Sequence, residues 1–88
     1  MTRNFILGEE KYIDIQVKSQ WRKDFLINTA TWELLDSKGQ KVAGNSCEIN
    51  DNILSCLVAP PSKGTFTLEV SYYIAPEKRK IRIPIKVD

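Results

Sequence analysis

The sequence predicts an all-β chain in which residues 1–88 fold as one antiparallel β-sandwich of about seven strands. Apolar and polar residues alternate with a period of two through residues 66–74 and again through residues 81–87. Turn residues separate the shorter apolar stretches, and no stretch has a helical period. Strands of period two bury one face, so they need a second layer to cover it. A small closed barrel is the competing architecture, because it uses the same alternation.

The first third of the chain predicts two strands and a connection. Residues 5–7 predict a short edge strand that ends near Gly8. Residues 12–19 alternate apolar and polar side chains, which predicts a half-buried strand. Residues 20–28 show no clear period, so we expect a crossing connection with a short strand or turn near Phe25.

The middle of the chain predicts a strand that carries the centre of the core. Residues 30–34 alternate, and Trp32 is the expected central core side chain. The sequence DSKG at residues 36–39 predicts a type I turn followed by a glycine. Residues 42–43 resume a strand briefly, and residues 44–46 are expected to interrupt it.

A hairpin around Asp51 and Asn52 determines how the two cysteines face each other. Both residues tolerate positive φ, so they predict a two-residue turn that places Cys47 directly opposite Cys56. At a non-hydrogen-bonded pair the Cα atoms are about 4.5 Å apart, near the short end of the disulfide range. Two interpretations stay open. The cysteines form a disulfide, or both are reduced core residues.

The last two strands form the longest predicted element, an antiparallel hairpin of residues 66–74 and 81–87 joined by residues 75–78. A proline-containing loop at residues 59–64 precedes it. The final strand is expected to lie at a sheet edge, because its basic side chains and Pro84 discourage pairing with other chains.

The charge and the lengths of the apolar runs argue against two classes of function, nucleic-acid binding and membrane spanning. The 13 basic and 11 acidic residues give a net charge of +2, which is far below that of a dedicated nucleic-acid binder. No apolar run approaches the roughly 18 residues of a membrane span. We therefore expect neither a nucleic-acid partner nor a membrane span. The location stays undetermined: cytoplasmic for the chain as given, or carried in a virion-like or surface assembly.

Catalytic chemistry finds little support in the residue types present. The sequence contains no histidine, which is the commonest general base and the commonest zinc ligand. Two cysteines with this spacing match no familiar zinc site, and the four glycines form no phosphate-binding loop. We expect a protein that is not an enzyme and has no cofactor or metal.

Basic and aromatic residues supply a candidate interaction surface. It comprises Trp21, Arg22, Tyr73, Lys78, Arg79, Lys80 and Arg82. The basic residues are predicted to line the outer face of the last strand and to dock an acidic partner. The alternative is a solvated sheet face on which Glu69 pairs with these cations. Trp21, Tyr12, Tyr73 and Leu35 are expected to be exposed, because each is out of phase with the buried set of its strand.

Two segments carry a resemblance to a known family. Residues 29–39 read TATWELLDSKG and residues 64–72 read GTFTLEVSY, and a β-branched terminal strand follows. This arrangement resembles immunoglobulin-like modules of bacteriophage and prophage structural proteins and of bacterial surface proteins. The resemblance implies a structural or adhesion role without catalytic residues. Cys47 and Cys56 are too close in sequence to be the inter-sheet bridge of antibody-type domains.

Two functions follow as hypotheses. The first is a structural or protein-interaction module in a phage-derived or bacterial surface assembly, which binds a protein partner or self-associates. The second is a monomeric carbohydrate- or ligand-binding module that uses Trp21 and Tyr73 as stacking platforms.

Overall fold

A computed structural model describes residues 2–17, 27–74 and 77–88 of the chain. The described residues contain strands and turns and no helix, which confirms the all-β prediction. The strands are β1 (Arg3–Phe5), β2 (Lys11–Gln16), β3 (Thr29–Leu35), β4 (Lys41–Ser46), β5 (Glu48–Asn50), β6 (Ile53–Val58), β7 (Gly64–Ile74) and β8 (Glu77–Val87). The strand or turn expected near Phe25 lies outside the described residues.

These strands form two sheets in a sandwich-like arrangement. One sheet has five strands in the order β1-β8-β7-β3-β4, and the other has three in the order β2-β6-β5. Two separate sheets support the sandwich over the small barrel. Every pair is antiparallel except β1 with β8, which is parallel. The prediction of a wholly antiparallel arrangement was therefore wrong at β1.

The first strand also lies earlier in the chain than residues 5–7. A turn ends it, because the backbone N–H of Ile6 donates to the Glu9 carboxylate at 2.6 Å and the N–H of Glu9 donates to the carbonyl of Ile6 at 2.9 Å. Gly8 within this turn has a φ of 98°, a conformation that side chains with a Cβ rarely adopt. The chain then crosses to β2 in the other sheet.

The hydrophobic core lies between the two sheets. Trp32 belongs to it, as predicted, although its side chain keeps some exposed surface. Fully enclosed side chains occupy neighbouring positions on both sheets; they are Leu34, Leu54, Cys56, Val58, Leu68, Val70 and Ile85. Leu35, expected to be exposed, is half-buried.

The turn between β3 and β4 lies where the sequence predicted it, closed by a hydrogen bond of 2.9 Å from the N–H of Gly39 to the carbonyl of Asp36. One carboxylate oxygen of Asp36 accepts hydrogen bonds from the backbone N–H groups of Lys38 and Gln40, both at 2.9 Å, and Gly39 has a φ of 82°. The expected interruption at residues 44–46 does not occur. β4 continues through them because Gly44 pairs with Glu33 and the following residues pair with β3. Pairing with a neighbouring strand outweighs the low strand propensity of glycine and asparagine.

The hairpin of β5 and β6 confirms the predicted register. Glu48 lies opposite Ser55 and Ile49 opposite Leu54, and Asp51 in the turn has a φ of 53°. The register brings the Sγ atoms of Cys47 and Cys56 to 3.2 Å without a disulfide bond between them.

The hairpin of β7 and β8 is longer than predicted. Its pairing runs without a register shift from Gly64 opposite Val87 to Ile74 opposite Glu77. Glu77 and Lys78 therefore belong to β8 and not to the connection. The expected edge position of β8 holds for only part of its length, since β1 pairs with it at residues 85–87.

Candidate interaction surface

The register of β7 and β8 determines which basic side chains share a face. Val70 and Leu68 are buried in the core and lie opposite Ile81 and Ile83. Side chains alternate along a strand, so the residues between them point away from the core. Three cross-strand pairs form this outer face: Tyr73 with Lys78, Ser71 with Lys80, and Glu69 with Arg82. The predicted alignment of basic side chains on an outer face is correct for these three cations.

Arg79 does not belong to that face, which corrects the predicted surface. It lies opposite the buried Tyr72, on the same side of the sheet as Ile81. Its guanidinium donates two hydrogen bonds to one oxygen of Glu77, at 3.0 and 2.7 Å, and this contact raises the pKa of Arg79. The sequence could have predicted this position, because Arg79 is an even number of residues from Ile81 and Ile83 and residues with that spacing share one face of a strand.

Glu69 partly neutralises the outer face. Its carboxylate lies 2.9 Å from Nε of Arg82 and 3.4 Å from Nζ of Lys80, and only 12% of its side chain is exposed. The hydrogen bond from Arg82, reinforced by Lys80, lowers the pKa of Glu69. One carboxylate is thus shared by two cations, which matches the predicted ion pairing. Lys78 forms no ion pair with another described residue.

A shallow depression continues the outer face from β8 onto β3. Its volume is about 240 Å³, and it is lined by Thr29, Thr31, Ser71, Tyr72, Tyr73 and Lys78. The Tyr73 side chain is 37% exposed, in agreement with the prediction. The backbone N–H of Asn28 donates to the carbonyl of Tyr73 at 2.9 Å, which ties the start of β3 to this part of β7. Trp21 and Arg22, the other predicted members of the surface, lie outside the described residues.

The backbone of β8 presents unpaired polar groups beside the same cations. Asp88 donates its N–H to the carbonyl of Phe5 and accepts from the N–H of Leu7, both at 2.9 Å, so its backbone groups point towards β1. Backbone groups alternate between the two sides of a strand, so those of Pro84, Arg82, Lys80 and Lys78 point the same way. Within the described ranges, no strand pairs with residues 77–84 on this side.

Pro84 independently supports this assignment of sides. Proline has no N–H, and within sheets it is confined to positions where that donor would face an edge. Pro84 lies within an uninterrupted ladder with β7, opposite Thr67. Its nitrogen must therefore point towards the open side. Sequence reasoning identified an edge here but missed that the cations and the open backbone groups belong to the same residues.

The other sheet carries a smaller exposed apolar group on its outer face. Tyr12 is 56% exposed, as predicted, and lies opposite the exposed Leu57. Ile53, two residues before Ser55 on β6, is exposed on the same face. The Ser55 hydroxyl donates to Asp14 at 2.7 Å between them. Leu57 and Ile53 were not predicted, because residues 53–58 are apolar on both faces except at Ser55, which hides the alternation.

The cysteine pair is buried and lies away from the outer face of β8. The hydrogen bond between the two thiols lowers the pKa of Cys47, and the same bond together with burial raises the pKa of Cys56. The described part of the chain holds no group of three or more histidine, cysteine, aspartate or glutamate side chains with metal-site geometry. It also holds no helix long and apolar enough to cross a membrane.

No protein-family model and no curated protein matches the sequence. Among solved structures, the chain is similar to an engineered protein, with a TM-score of 0.76 and 12% identity over 97% of this chain, although it spans 17% of that protein's length. It is also similar to CopC from Methylosinus trichosporium OB3b, with a TM-score of 0.67 and 10% identity over 97% of this chain and 83% of CopC. At these identities the similarity establishes the fold alone.

Proposed function

We propose that this chain is a non-catalytic protein-interaction module with an immunoglobulin-like β-sandwich fold, which works in a phage-derived or bacterial surface assembly. The observation that carries the proposal is the half-open edge of β8. Residues 77–84 present backbone donors and acceptors on the side away from β7, beside exposed cations, and β1 pairs only with residues 85–87. Such an edge is a template on which another chain can pair.

The strand order supports the immunoglobulin-like part of the proposal. In that fold strands B, E and D share one sheet, and strands C, F and G share the other, to which variable-type domains add C′. If β2 is strand B, the order β2-β6-β5 corresponds to B-E-D and the order β8-β7-β3-β4 corresponds to G-F-C-C′. β1 then takes the place of a first strand that crosses to pair with G.

The role in an assembly is supported by the resemblance of residues 29–39 and 64–72 to phage and bacterial surface modules. The non-catalytic part is supported by the lack of histidine in the sequence. The exposed edge and the flat outer face offer recognition by surface complementarity, which needs no covalent step.

Site-specific photo-crosslinking in the cells that encode the chain tests the proposal. A photoreactive amino acid replaces Lys80 at the open edge, and a matched variant carries it at Gln16 on the outer face of the other sheet. We expect protein adducts of defined mass from position 80 and none of these from position 16. The proposal is wrong if both positions give the same adducts or if position 80 gives none. Light scattering across a wide concentration range then separates adducts with a second copy from adducts with another protein.

A second candidate function is carbohydrate or small-ligand binding at the outer-face depression. The supporting observation is that exposed Tyr73 borders the hydroxyl groups of Thr29, Thr31 and Ser71, and aromatic faces flanked by hydroxyl groups suit sugar rings. Glycan-array binding by the wild type that is lost in Tyr73→Ala and kept in Tyr12→Ala would favour this function. An array without binding removes it.

A further inference from the structure

We propose that the partner docks on the open half of β8 as an added antiparallel or parallel strand, and that this strand alternates acidic with apolar side chains. This inference rests on the proposed function, because it names the chemistry of the partner at that same edge. It is carried by three features of β8: the direction of its backbone groups, the charge on its outer face and the apolar side chains of Ile81 and Ile83 on its inner face.

The backbone groups provide the geometry for strand addition. The N–H and C=O groups of Lys78, Lys80 and Arg82 point to the open side, and Pro84 adds a carbonyl. The intervening residues, including Ile81 and Ile83, direct their backbone groups to β7. The pairing of β8 with β7 is continuous, so no bulge interrupts the edge over this stretch. An extended segment can therefore form a ladder without rearranging the sheet.

The outer face selects acidic side chains in the added strand. Residues next to each other across a sheet share a face, so alternate side chains of the added strand would lie beside Lys78, Lys80 and Arg82. Glu69 is the acidic side chain paired with Lys80 and Arg82, at 3.4 and 2.9 Å. Glu33 lies opposite Glu69 on the same face, so the three cations of β8 exceed the two nearby carboxylates by one and leave a net positive charge. Carboxylates in the partner would complete the pairing.

The inner face selects apolar side chains at the alternate positions. Ile81 and Ile83 pack against the core and remain half-buried at the edge of the sheet. An apolar side chain of the added strand would lie beside each of them and extend the core. Beside Ile81 and Ile83 the complementary segment therefore alternates acidic and apolar residues, while the Glu77–Arg79 ion pair occupies the same face closer to the start of β8.

A second copy of this chain does not fit the same edge. Antiparallel pairing of two β8 strands would place cations such as Lys80 and Arg82 opposite each other, and parallel pairing would place each beside its own copy. Like charges directly opposite on a sheet are destabilising. The edge thus disfavours self-pairing while it remains open to a strand of opposite charge, which is how basic residues protect natural edges.

Hydrogen exchange measured by NMR on the intact chain provides the first test. The probe is a capped peptide of about eight residues that alternates glutamate and valine, and the matched control alternates lysine and valine. In the free protein we expect fast exchange at the amides of Lys80 and Arg82 and slow exchange at Ile81 and Ile83. With the acidic peptide at ten times its Kd, exchange at Lys80 and Arg82 should slow about tenfold. Equal protection by both peptides, or none, would overturn the inference.

Variants separate strand addition from attraction between charges. Lys80→Gln removes the charge and keeps the edge-facing N–H, whereas Lys80→Pro removes both. Proline already occupies an equivalent position four residues later, at Pro84. Lys63→Gln makes the same charge change in the loop before β7. We expect peptide affinity to decrease from wild type to Lys80→Gln and further to Lys80→Pro, with Lys63→Gln unchanged. Equal affinities of Lys80→Gln and Lys80→Pro would contradict strand addition.

These outcomes are distinct from failure of the proposed function. If position 80 crosslinks to a partner in cells but the acidic peptide protects no amide, the chain remains an interaction module and the acidic-strand inference is wrong. If the amides of Lys80 and Arg82 become protected at high protein concentration without peptide, the edge binds a second copy and the inference is likewise wrong.

Discussion

Joining Cys47 to Cys56 should raise the stability of the domain without changing its fold. Their Sγ atoms lie 3.2 Å apart in the buried end of the β5–β6 hairpin, so only a small movement separates them from bonding distance. Glutathione disulfide is a suitable oxidant. As the Sγ–Sγ bond forms, the two thiols lose two protons and two electrons, and the oxidant takes them up and leaves as two glutathione molecules.

The size of the effect follows from the loop that the bond closes. The two cysteines are nine positions apart, which is a short loop. The chain-entropy relation for a loop of about ten residues gives a stabilisation of roughly 2 to 3 kcal/mol. For a domain of this size, that corresponds to a rise in Tm of roughly 10 to 20 °C.

Thermal unfolding of the oxidised and reduced protein measures this difference. Circular dichroism melts are compared before and after glutathione treatment, with free thiols counted and the monomeric state checked by mass. Cys47→Ala is the control, because it cannot form the bond and its Tm should not respond to the oxidant. An oxidised monomer with the Tm of the reduced protein would refute the entropy argument. Failure to form the bond in the folded protein would refute the geometric argument.

Exposure and the pKa shifts together predict which sulfur reacts first. The hydrogen bond between the thiols lowers the pKa of Cys47 and, with burial, raises the pKa of Cys56. Cys47 also keeps 9% exposed surface, whereas Cys56 is fully enclosed. Thiolates are the nucleophiles in disulfide exchange. Mass spectrometry of a short oxidation should therefore find glutathione on Cys47 before it finds any on Cys56. Mixed disulfide that forms first on Cys56 would contradict this order.

Two further predictions concern the core and the outer face. Trp32→Ala should reduce the free energy of unfolding by about 3 to 5 kcal/mol, measured by urea denaturation, because it removes a buried aromatic side chain; a loss below about 1 kcal/mol would contradict its place in the core. Glu69 stabilises the fold above its ordinary carboxyl pKa, because Arg82 and Lys80 lower its pKa in the folded state, and this contribution is lost as the pH falls through that lowered value. Glu69→Gln should therefore flatten the acid limb of a stability-versus-pH curve, and an unchanged limb would refute this reasoning.

Much of the fold could be predicted because its signals are local. The alternation in residues 66–74 predicted the buried positions of β7, and the tolerance of Asp51 for positive φ predicted a turn whose register brings the two cysteines together. The sequence DSKG predicted the turn at Gly39. In each case the conformation depends on neighbouring residues and hardly on the rest of the chain.

Other features could not be predicted because they depend on distant segments. β1 pairs in parallel with β8, which lies more than eighty positions later in the chain, and no local pattern specifies that choice. Gly44 suggested a break, yet its pairing with Glu33 keeps β4 intact. The candidate surface was identified by residue type. Arg79 was assigned to the outer face because it is basic, although its spacing from Ile81 and Ile83 places it on the inner face.

The sequence by itself determined the strands, their turns and the faces on which side chains lie, because a strand's period of two is a property of its own backbone. Only the tertiary structure decided which strand lies at an edge. That property depends on which strands lie on either side. Here β1 reaches only residues 85–87, and among the described residues no strand pairs with the backbone of Lys78, Lys80 and Arg82 on that side. Whether a basic strand is a solvated surface or a docking edge is thus a non-local property, set by long-range pairing rather than by residue type.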